Sequence, residues 1–258
     1  MENVVILEWT FSPPDFFEEP IRVARSNYLM TIGNGKVEAR IDPATYDKDP
    51  SMRDVLHGAL NDRFLGAQLS TYTPYQLSKS SISRLYSDGH KDATVIAEGI
   101  QLTARAGISA DVVLMDRDGN VVADSRRERL ERRKQVADLI ETYRSKDPVL
   151  AAILNSNQAA VNDPDNELIH LYEIRDALSK QFGGEVATRD ALRITATQWS
   201  RFGRIADHEP LKQGRHRGRS VGTLRDATEA ELKEARDIAR SLVENYLQYL
   251  ERQSQYKS

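Results

Sequence analysis

The chain has 258 residues, a formal net charge of −3, an apolar fraction of 40% and no cysteine. A chain of this length holds one large domain or two smaller ones. The lack of cysteine excludes disulfides, thiolate catalysis and cysteine-based zinc sites. No run reaches the ~20 apolar residues that a membrane-spanning helix needs, and the start lacks a basic, apolar leader. We therefore expect a cytoplasmic protein that uses no cofactor and enters no membrane.

The charges divide the chain into two halves of different character. Residues 1–125 carry 12 basic and 18 acidic side chains, whereas residues 126–258 carry 24 basic and 21 acidic ones. The hydrophobic pattern also changes, from short strand-like runs to stripes with helical spacing. We expect an α+β recognition or regulatory domain with a mainly antiparallel sheet at residues 1–125. An all-α helical bundle is expected at residues 126–258.

Strands and turns are predicted in the first half. Residues 4–11 are typical of a strand, and residues 28–41 of a hairpin, because Gly33-Asn34-Gly35 tolerates the positive φ of its turn. A helix is predicted from Ser51, with Asp54 at the capping-box position. Two more strand pairs are predicted at residues 82–87 with 93–104 and at residues 111–115 with 120–123.

The turn at residues 116–120, Asp-Arg-Asp-Gly-Asn, resembles the start of a calcium-binding EF-hand loop. Arg127 occupies the position of the required glutamate, and no helix is predicted before the turn. An ordinary Asp-Gly hairpin is therefore favoured. His57 and His90 are isolated, so we assign them to packing or to the surface. No metal site is predicted from these residues.

Helices are predicted throughout the second half. Their N-terminal signals are Ser125, Asp147-Pro148, Asp163-Pro164, Thr188 and the capping box Thr228-x-x-Glu231. The helix that Thr188 begins ends at Pro210 and carries one stripe of Leu192, Thr195, Trp199, Phe202 and Ala206. The last helix repeats Leu232, Ala235, Ala239, Leu242, Tyr246 and Tyr249 at three- and four-residue steps. That stripe faces a bundle core or a partner.

Between Pro210 and Leu224 the chain contains cations and glycines but no acidic residue. A loop with charges of one sign and several glycines is suited to binding an anion such as phosphate. The predicted phosphate or nucleic-acid ligands are Lys212, Arg215, His216, Arg217, Arg219 and Arg225. We call residues 211–225 the basic loop, and we expect RNA or a nucleotide as its partner.

Arg201, Arg204 and His208 lie just before the basic loop, at the predicted end of a helix. On an α-helix Arg201 and His208 share a face, about 20° apart, with their Cα atoms ~10.5 Å apart along the axis. Histidine can move a proton, and arginine can hold a phosphate. These groups are sufficient to cleave RNA without a metal, with the ribose 2′-hydroxyl as nucleophile. A structural role is also open, because the helix dipole favours a terminal histidine and Arg204 can pair with Asp207.

The segment Arg201-Phe-Gly-Arg-Ile-Ala-Asp-His208 matches the Arg-x(4–6)-His motif at the end of a later helix in HEPN domains. The helix from Thr228 also resembles the last helix of these domains, so residues 126–258 resemble the HEPN fold. The resemblance implies metal-independent endoribonuclease activity in a defence, toxin or RNA-processing role. It also implies a symmetric homodimer in which Arg201 and His208 meet near the two-fold axis. Phe202 stands where catalytic members usually have a polar residue.

Two other functions stay open from the residues alone. In the first, the basic loop binds RNA or a nucleotide without cleavage, and His208 is structural. In the second, the last helix makes the chain a dimeric assembly subunit. Salt-dependent RNA binding without cleavage would select the first, and dimerisation without nucleic-acid affinity the second. A protein partner is expected for residues 1–125, but its identity is not predicted.

Overall fold

The computed structural model describes residues 3–88, 90–94, 111–115, 118, 120–215 and 222–255. The chain forms two compact units. The first comprises Met1–Phe64 and Tyr75–Arg126, and the second comprises Leu65–Pro74 and Arg127–Ser258. An antiparallel sheet dominates the first unit and helices the second, which confirms the predicted α+β region followed by an all-α region. Residues 65–74 belong to the second unit, which the charge pattern did not indicate.

The first unit is built on one antiparallel sheet and a separate two-stranded hairpin. Within the described residues the strands are β1 Val4–Ser12, β2 Ile21–Ala24, β3 Tyr28–Gly33, β4 Lys36–Ile41, β5 Gln76–Leu77, β6 Ser81–Leu85, β7 Lys91–Thr94, β8 Val113–Met115 and β9 Val121–Asp124. The main sheet has the order β2-β3-β4-β1-β6-β7, and β5 also pairs with β1. The separate hairpin is β8 with β9.

The predicted hairpin at residues 28–41 is confirmed. β3 and β4 pair antiparallel from Tyr28 with Ile41 to Gly33 with Lys36. Asn34 and Gly35 have φ values of 52° and 76°, the left-handed conformations that these residue types tolerate. The turn therefore forms for the local reason that the sequence indicated.

The other strand predictions are confirmed where the structure describes them. β1 covers the predicted strand at residues 4–11, and β6 pairs with β7 at Lys91–Thr94. The rest of the predicted strand, residues 95–104, lies outside the described residues. β8 pairs with β9, so a strand precedes the turn that resembled a calcium loop. Asp116, Arg117 and Gly119 of that turn also lie outside the described residues.

Packed aromatic rings lie in the core of the first unit. The Phe64 ring centroid lies 5.1 Å from those of Phe11 and Phe16, and 4.9 Å from that of Tyr75. Trp9 is also buried, and its Nε1 donates to His57 Nδ1 at 3.1 Å. His57 therefore accepts the hydrogen bond of a buried indole N–H, as expected for a histidine in a packing role.

Eight α-helices lie within the described residues. They are α1 Pro43–Lys48, α2 Met52–Thr71, α3 Ser125–Tyr143, α4 Pro148–Asn162, α5 Glu167–Phe182, α6 Glu185–Leu192, α7 Ala196–Gly203 and α8 Glu229–Gln255. A 3₁₀ turn at Pro164–Asn166 leads into α5, and a π-helical turn at Arg204–His208 extends α7. α2 begins one residue after Ser51, as predicted, but without the predicted capping box. The Asp54 amide donates to the Ser51 carbonyl, and the Ser51 hydroxyl donates to Asp49.

The apolar stripes of the second unit meet in one core. α5 contributes Leu168, Leu171, Ile174 and Leu178, the residues predicted to line it. In the stripe of α8, Ala235, Ala239, Leu242 and Tyr246 are buried, and Leu232 and Tyr249 pack against them. The stripe is therefore core of its own unit and does not argue for a partner chain. The homodimer stays a prediction.

The prediction of one helix from Thr188 to Pro210 is wrong. Arg193 adopts a left-handed conformation, with φ of 55°, and separates α6 from α7. Thr188 is buried inside α6, and its hydroxyl donates to the Gly184 carbonyl at 2.7 Å. Thr195 was assigned to the stripe, but it caps α7 in a reciprocal capping box with Gln198.

Replacing Thr195 with alanine should lower the free energy of unfolding by about 1 kcal/mol. The change leaves the backbone N–H of Gln198, at the start of α7, without the Thr195 hydroxyl as its acceptor. Urea unfolding followed by far-ultraviolet circular dichroism measures the difference. Thr195→Ser keeps the oxygen and serves as the control, with a smaller loss expected. Equal losses in the two variants would contradict the capping role.

Candidate functional site

The predicted site residues lie at and beyond the end of α7, where the helix changes type. The amide of Glu209 donates to the carbonyl of Arg204 at 2.9 Å, five residues back, as in a π-helix. A π-helical turn holds more residues than an α-helical one. The α-helical register that placed Arg201 and His208 on one face therefore does not extend to His208, and that geometric prediction is corrected. Single π-helical turns inside α-helices occur frequently at functional sites.

Arg201 is held by a carboxylate of α8. Its Nε lies 3.0 Å from both carboxylate oxygens of Glu234. The two side chains are 39% and 40% exposed, so water and solutes reach the pair. Exposed ion pairs of this kind contribute about 0–1 kcal/mol, so an incoming phosphate can compete with the carboxylate.

His208 ends the π-helical turn and presents its ring to solvent. Its side chain is 71% exposed, and its Nδ1 lies 3.4 Å from Oδ2 of Asp207, whose side chain is only 12% exposed. The Asp207 carboxylate therefore lies beside one ring nitrogen, and most of the ring surface is open to a ligand. Arg204, at the start of the same turn, is also exposed.

Three cations of the basic loop are described, and each meets a carboxylate. Lys212 Nζ lies 2.9 Å from Asp226, and Arg215 Nη1 lies 2.7 Å from Asp176 on α5. Arg225 Nη2 lies 2.7 Å from Glu231 in the first turn of α8 and 3.7 Å from Glu209. All four carboxylates lie outside residues 210–224, where the sequence contains no acid. His216, Arg217 and Arg219 lie outside the described residues.

The two ends of the basic loop are tied together. Leu211 and Arg225 form a parallel β-bridge, in which the Lys212 amide donates to the Arg225 carbonyl at 2.9 Å. Gln213 accepts from the Ala227 amide at 3.0 Å. The Leu211 side chain is 1% exposed and anchors this base in the core. The backbone groups of Lys212 and Arg225 therefore join the two ends of the loop, a role that was not predicted for these residues.

An arginine of α5 packs between two aromatic rings beside this loop. We call Tyr172, Arg175 and Trp199 the aromatic cluster. The Arg175 guanidinium lies 5.0 Å from the ring centroid of Tyr172 and 4.5 Å from that of Trp199. Its Nη1 donates to the Tyr172 hydroxyl, and burial raises the pKa of that hydroxyl. This cluster was not predicted from the sequence, although Tyr172 and Arg175 are three residues apart on one helix face.

Gly203 lets α7 approach Arg175 closely. A Cβ atom at this position would lie 3.1 Å from Arg175 Nη1, closer than packed side chains normally come. A larger residue would require the Arg175 guanidinium to shift by a few tenths of an ångström, which would disturb its packing on the rings. The aromatic cluster therefore lies directly against Gly203, the last residue of α7 before the turn that carries Asp207 and His208.

Among the described residues, no group of three or more histidine, aspartate or glutamate side chains is arranged to hold a metal ion. No helix in the described part of the chain is long and apolar enough to cross a membrane. Comparisons with protein-family models, with curated proteins and with solved structures found no match. The resemblance to HEPN domains therefore rests on sequence features, the Arg-x6-His motif and the last helix.

Proposed function

We propose that the second unit cleaves RNA without a metal ion. The observation that carries the proposal is His208, exposed on a π-helical turn with a nearly buried carboxylate beside its Nδ1. This arrangement leaves the imidazole open to a substrate, as a general acid or base requires. The Arg-x6-His motif and its resemblance to HEPN domains add support from the sequence.

The reaction is a transesterification followed by release of two RNA ends. His208 Nε2 accepts the proton of the ribose 2′-hydroxyl while its oxygen attacks the adjacent phosphorus. The bond from phosphorus to the 5′-oxygen breaks, and that oxygen takes a proton from water while the His208 imidazolium returns its own proton to solvent. The products are a 2′,3′-cyclic phosphate and a 5′-hydroxyl, so atoms and charge balance without a co-reactant.

Arginine supplies the positive charge that the transition state needs. Arg204 begins the same turn as His208, and its side chain is exposed. Arg201 reaches a phosphate only after leaving Glu234, and the exposure of that pair makes the exchange inexpensive. In a homodimer, as the resemblance implies, Arg201 of one chain would act with His208 of the other.

The metal-free mechanism predicts that cleavage continues in EDTA. The chain has no cysteine and only five histidines, none of which forms a His-x-x-x-His pair. Purified protein is incubated with mixed RNA, with and without the chelator, and the ends are analysed for cyclic phosphate. Equal cleavage in both reactions is expected, and DNA of the same sequence should stay intact. Loss of activity in EDTA, restored by one added metal, would contradict the mechanism.

A second candidate is binding of RNA or a nucleotide without cleavage. The two contacts from Arg201 to Glu234 favour it, because cleavage with Arg201 requires that they first break, whereas binding through the basic loop does not. Salt-dependent RNA binding with no products after long incubation would select this function. In both cases the first unit is proposed to recognise a protein partner or to regulate the second.

A further inference from the structure

Arg215 is the one predicted phosphate ligand, among those described, that packs on the aromatic cluster. Its guanidinium lies 4.9 Å from the Tyr172 ring centroid, and Nη1 lies 2.7 Å from Asp176 Oδ2. Its backbone amide donates to the Ala206 carbonyl, inside the π-helical turn, at 2.9 Å. Arg215 is therefore tied both to α5 and to the turn that carries His208.

The same contacts leave part of the Arg215 guanidinium in solvent. The side chain is 43% exposed, and its contact with Asp176 is made through the Nη1 nitrogen. The other N–H donors are oriented by the stacking on Tyr172, whose own ring is fixed by Arg175. An arginine oriented before binding loses less side-chain freedom when it takes up a phosphate.

We propose that Asp176 and Tyr172 are positioning residues that orient Arg215 as a phosphate receptor next to the π-helical turn that carries His208. The proposal deepens the proposed function and rests on it, with RNA as the substrate. Arg215 holds a phosphate next to the scissile one through its free donors, and Asp176 keeps the guanidinium plane in place. Asp176 itself does not touch the substrate.

The opposite role for Asp176 makes a different prediction. If Asp176 only neutralised Arg215, its removal would free a cation and strengthen RNA binding at every salt concentration. If it positions Arg215, its removal weakens binding although the protein has lost a negative charge. The sign of the change in affinity therefore separates the two roles.

Asp176→Asn should raise KM for RNA about tenfold and change kcat little. An effect of this size is typical of residues that act through a shared contact. Asp176→Glu should restore part of the loss. Arg215→Ala should raise KM at least as much, and the double variant should be no worse than Arg215→Ala alone. Asp47→Asn is the matched control, because Asp47 pairs with exposed Arg84 in the first unit and its loss changes net charge equally. Thermal unfolding confirms that each variant is folded.

The outcomes separate this proposal from the proposed function. If the parent protein cleaves RNA but Asp176→Asn has an unchanged or lower KM, the positioning role is wrong and the activity stands. Additive losses in the double variant would also overturn it. If the parent neither binds nor cleaves RNA, both proposals are wrong.

Discussion

Replacing His208 with alanine should lower RNA cleavage by about 10²–10⁴-fold, the usual contribution of a positioned general acid or base. The alanine removes the imidazole that takes the proton of the 2′-hydroxyl but leaves the backbone of the π-helical turn unchanged. Because 71% of the His208 side chain is in solvent, its removal should change stability little. Single-turnover rates at saturating RNA measure the loss.

His90 provides the matched control for His208. It is 66% exposed and lies 3.0 Å from Asp92, so it forms a similar histidine–aspartate pair in the first unit. His90→Ala should cleave RNA at the parent rate. Equal rates for His208→Ala and the parent would remove His208 from the mechanism and leave binding without cleavage as the better proposal.

Mixing two inactive variants tests whether a homodimer shares the site. Arg201→Ala and His208→Ala chains are combined, dissociated and allowed to exchange, and light scattering establishes the oligomeric state. Regained cleavage in mixed dimers is expected if Arg201 and His208 act from different chains. A parent dimer whose mixed variants stay inactive would show that each chain needs its own pair.

Replacing Arg236 with methionine should lower the free energy of unfolding by about 3–5 kcal/mol. Arg236 of α8 donates to both carboxylate oxygens of Glu167, at 2.6 and 2.9 Å, and Glu167 is 2% exposed. The substitution leaves a buried carboxylate without its cation, which is far more costly than losing a surface pair. Urea unfolding of the full chain measures the difference.

Two further variants test whether the stability lost in Arg236→Met comes from the unpaired buried carboxylate. Arg240→Met, on the same helix, breaks an exposed pair with Asp237 and should cost no more than about 1 kcal/mol. The double variant Glu167→Leu with Arg236→Met removes both charges and should recover much of the stability. A loss for Arg236→Met no larger than that for Arg240→Met would show that the buried pair contributes little.

Tyr72 completes the environment of this buried pair. Its ring centroid lies 4.6 Å from the Arg236 guanidinium carbon. Burial, together with the negative charge of Glu167, raises the pKa of the Tyr72 hydroxyl far above its usual range, so the tyrosine stays neutral. Arg236 therefore packs between a neutral tyrosine and a buried carboxylate. The effect of removing Arg236 should not depend on ionisation of Tyr72.

The sequence by itself determined the elements whose signals are local. The turn in Gly33-Asn34-Gly35 forms because Asn34 and Gly35 adopt the required positive φ at little cost. Thr228 and Glu231 form their predicted capping box, because donor and acceptor are three residues apart on one helical turn. The order of a sheet region followed by a helical region also follows from local hydrophobic periodicity.

Only the tertiary structure decided what surrounds each predicted site residue. Arg201 meets Glu234, 33 positions along the chain, and Arg215 meets Asp176, 39 positions back. No local pattern encodes such pairs, because helix packing rather than sequence spacing brings the partners together. Gly203 of α7 likewise lies against the Arg175 guanidinium of α5, a contact that no sequence spacing indicates. A sequence pattern can therefore name cations suited to phosphate, but the carboxylates that restrain them appear only when the helices pack.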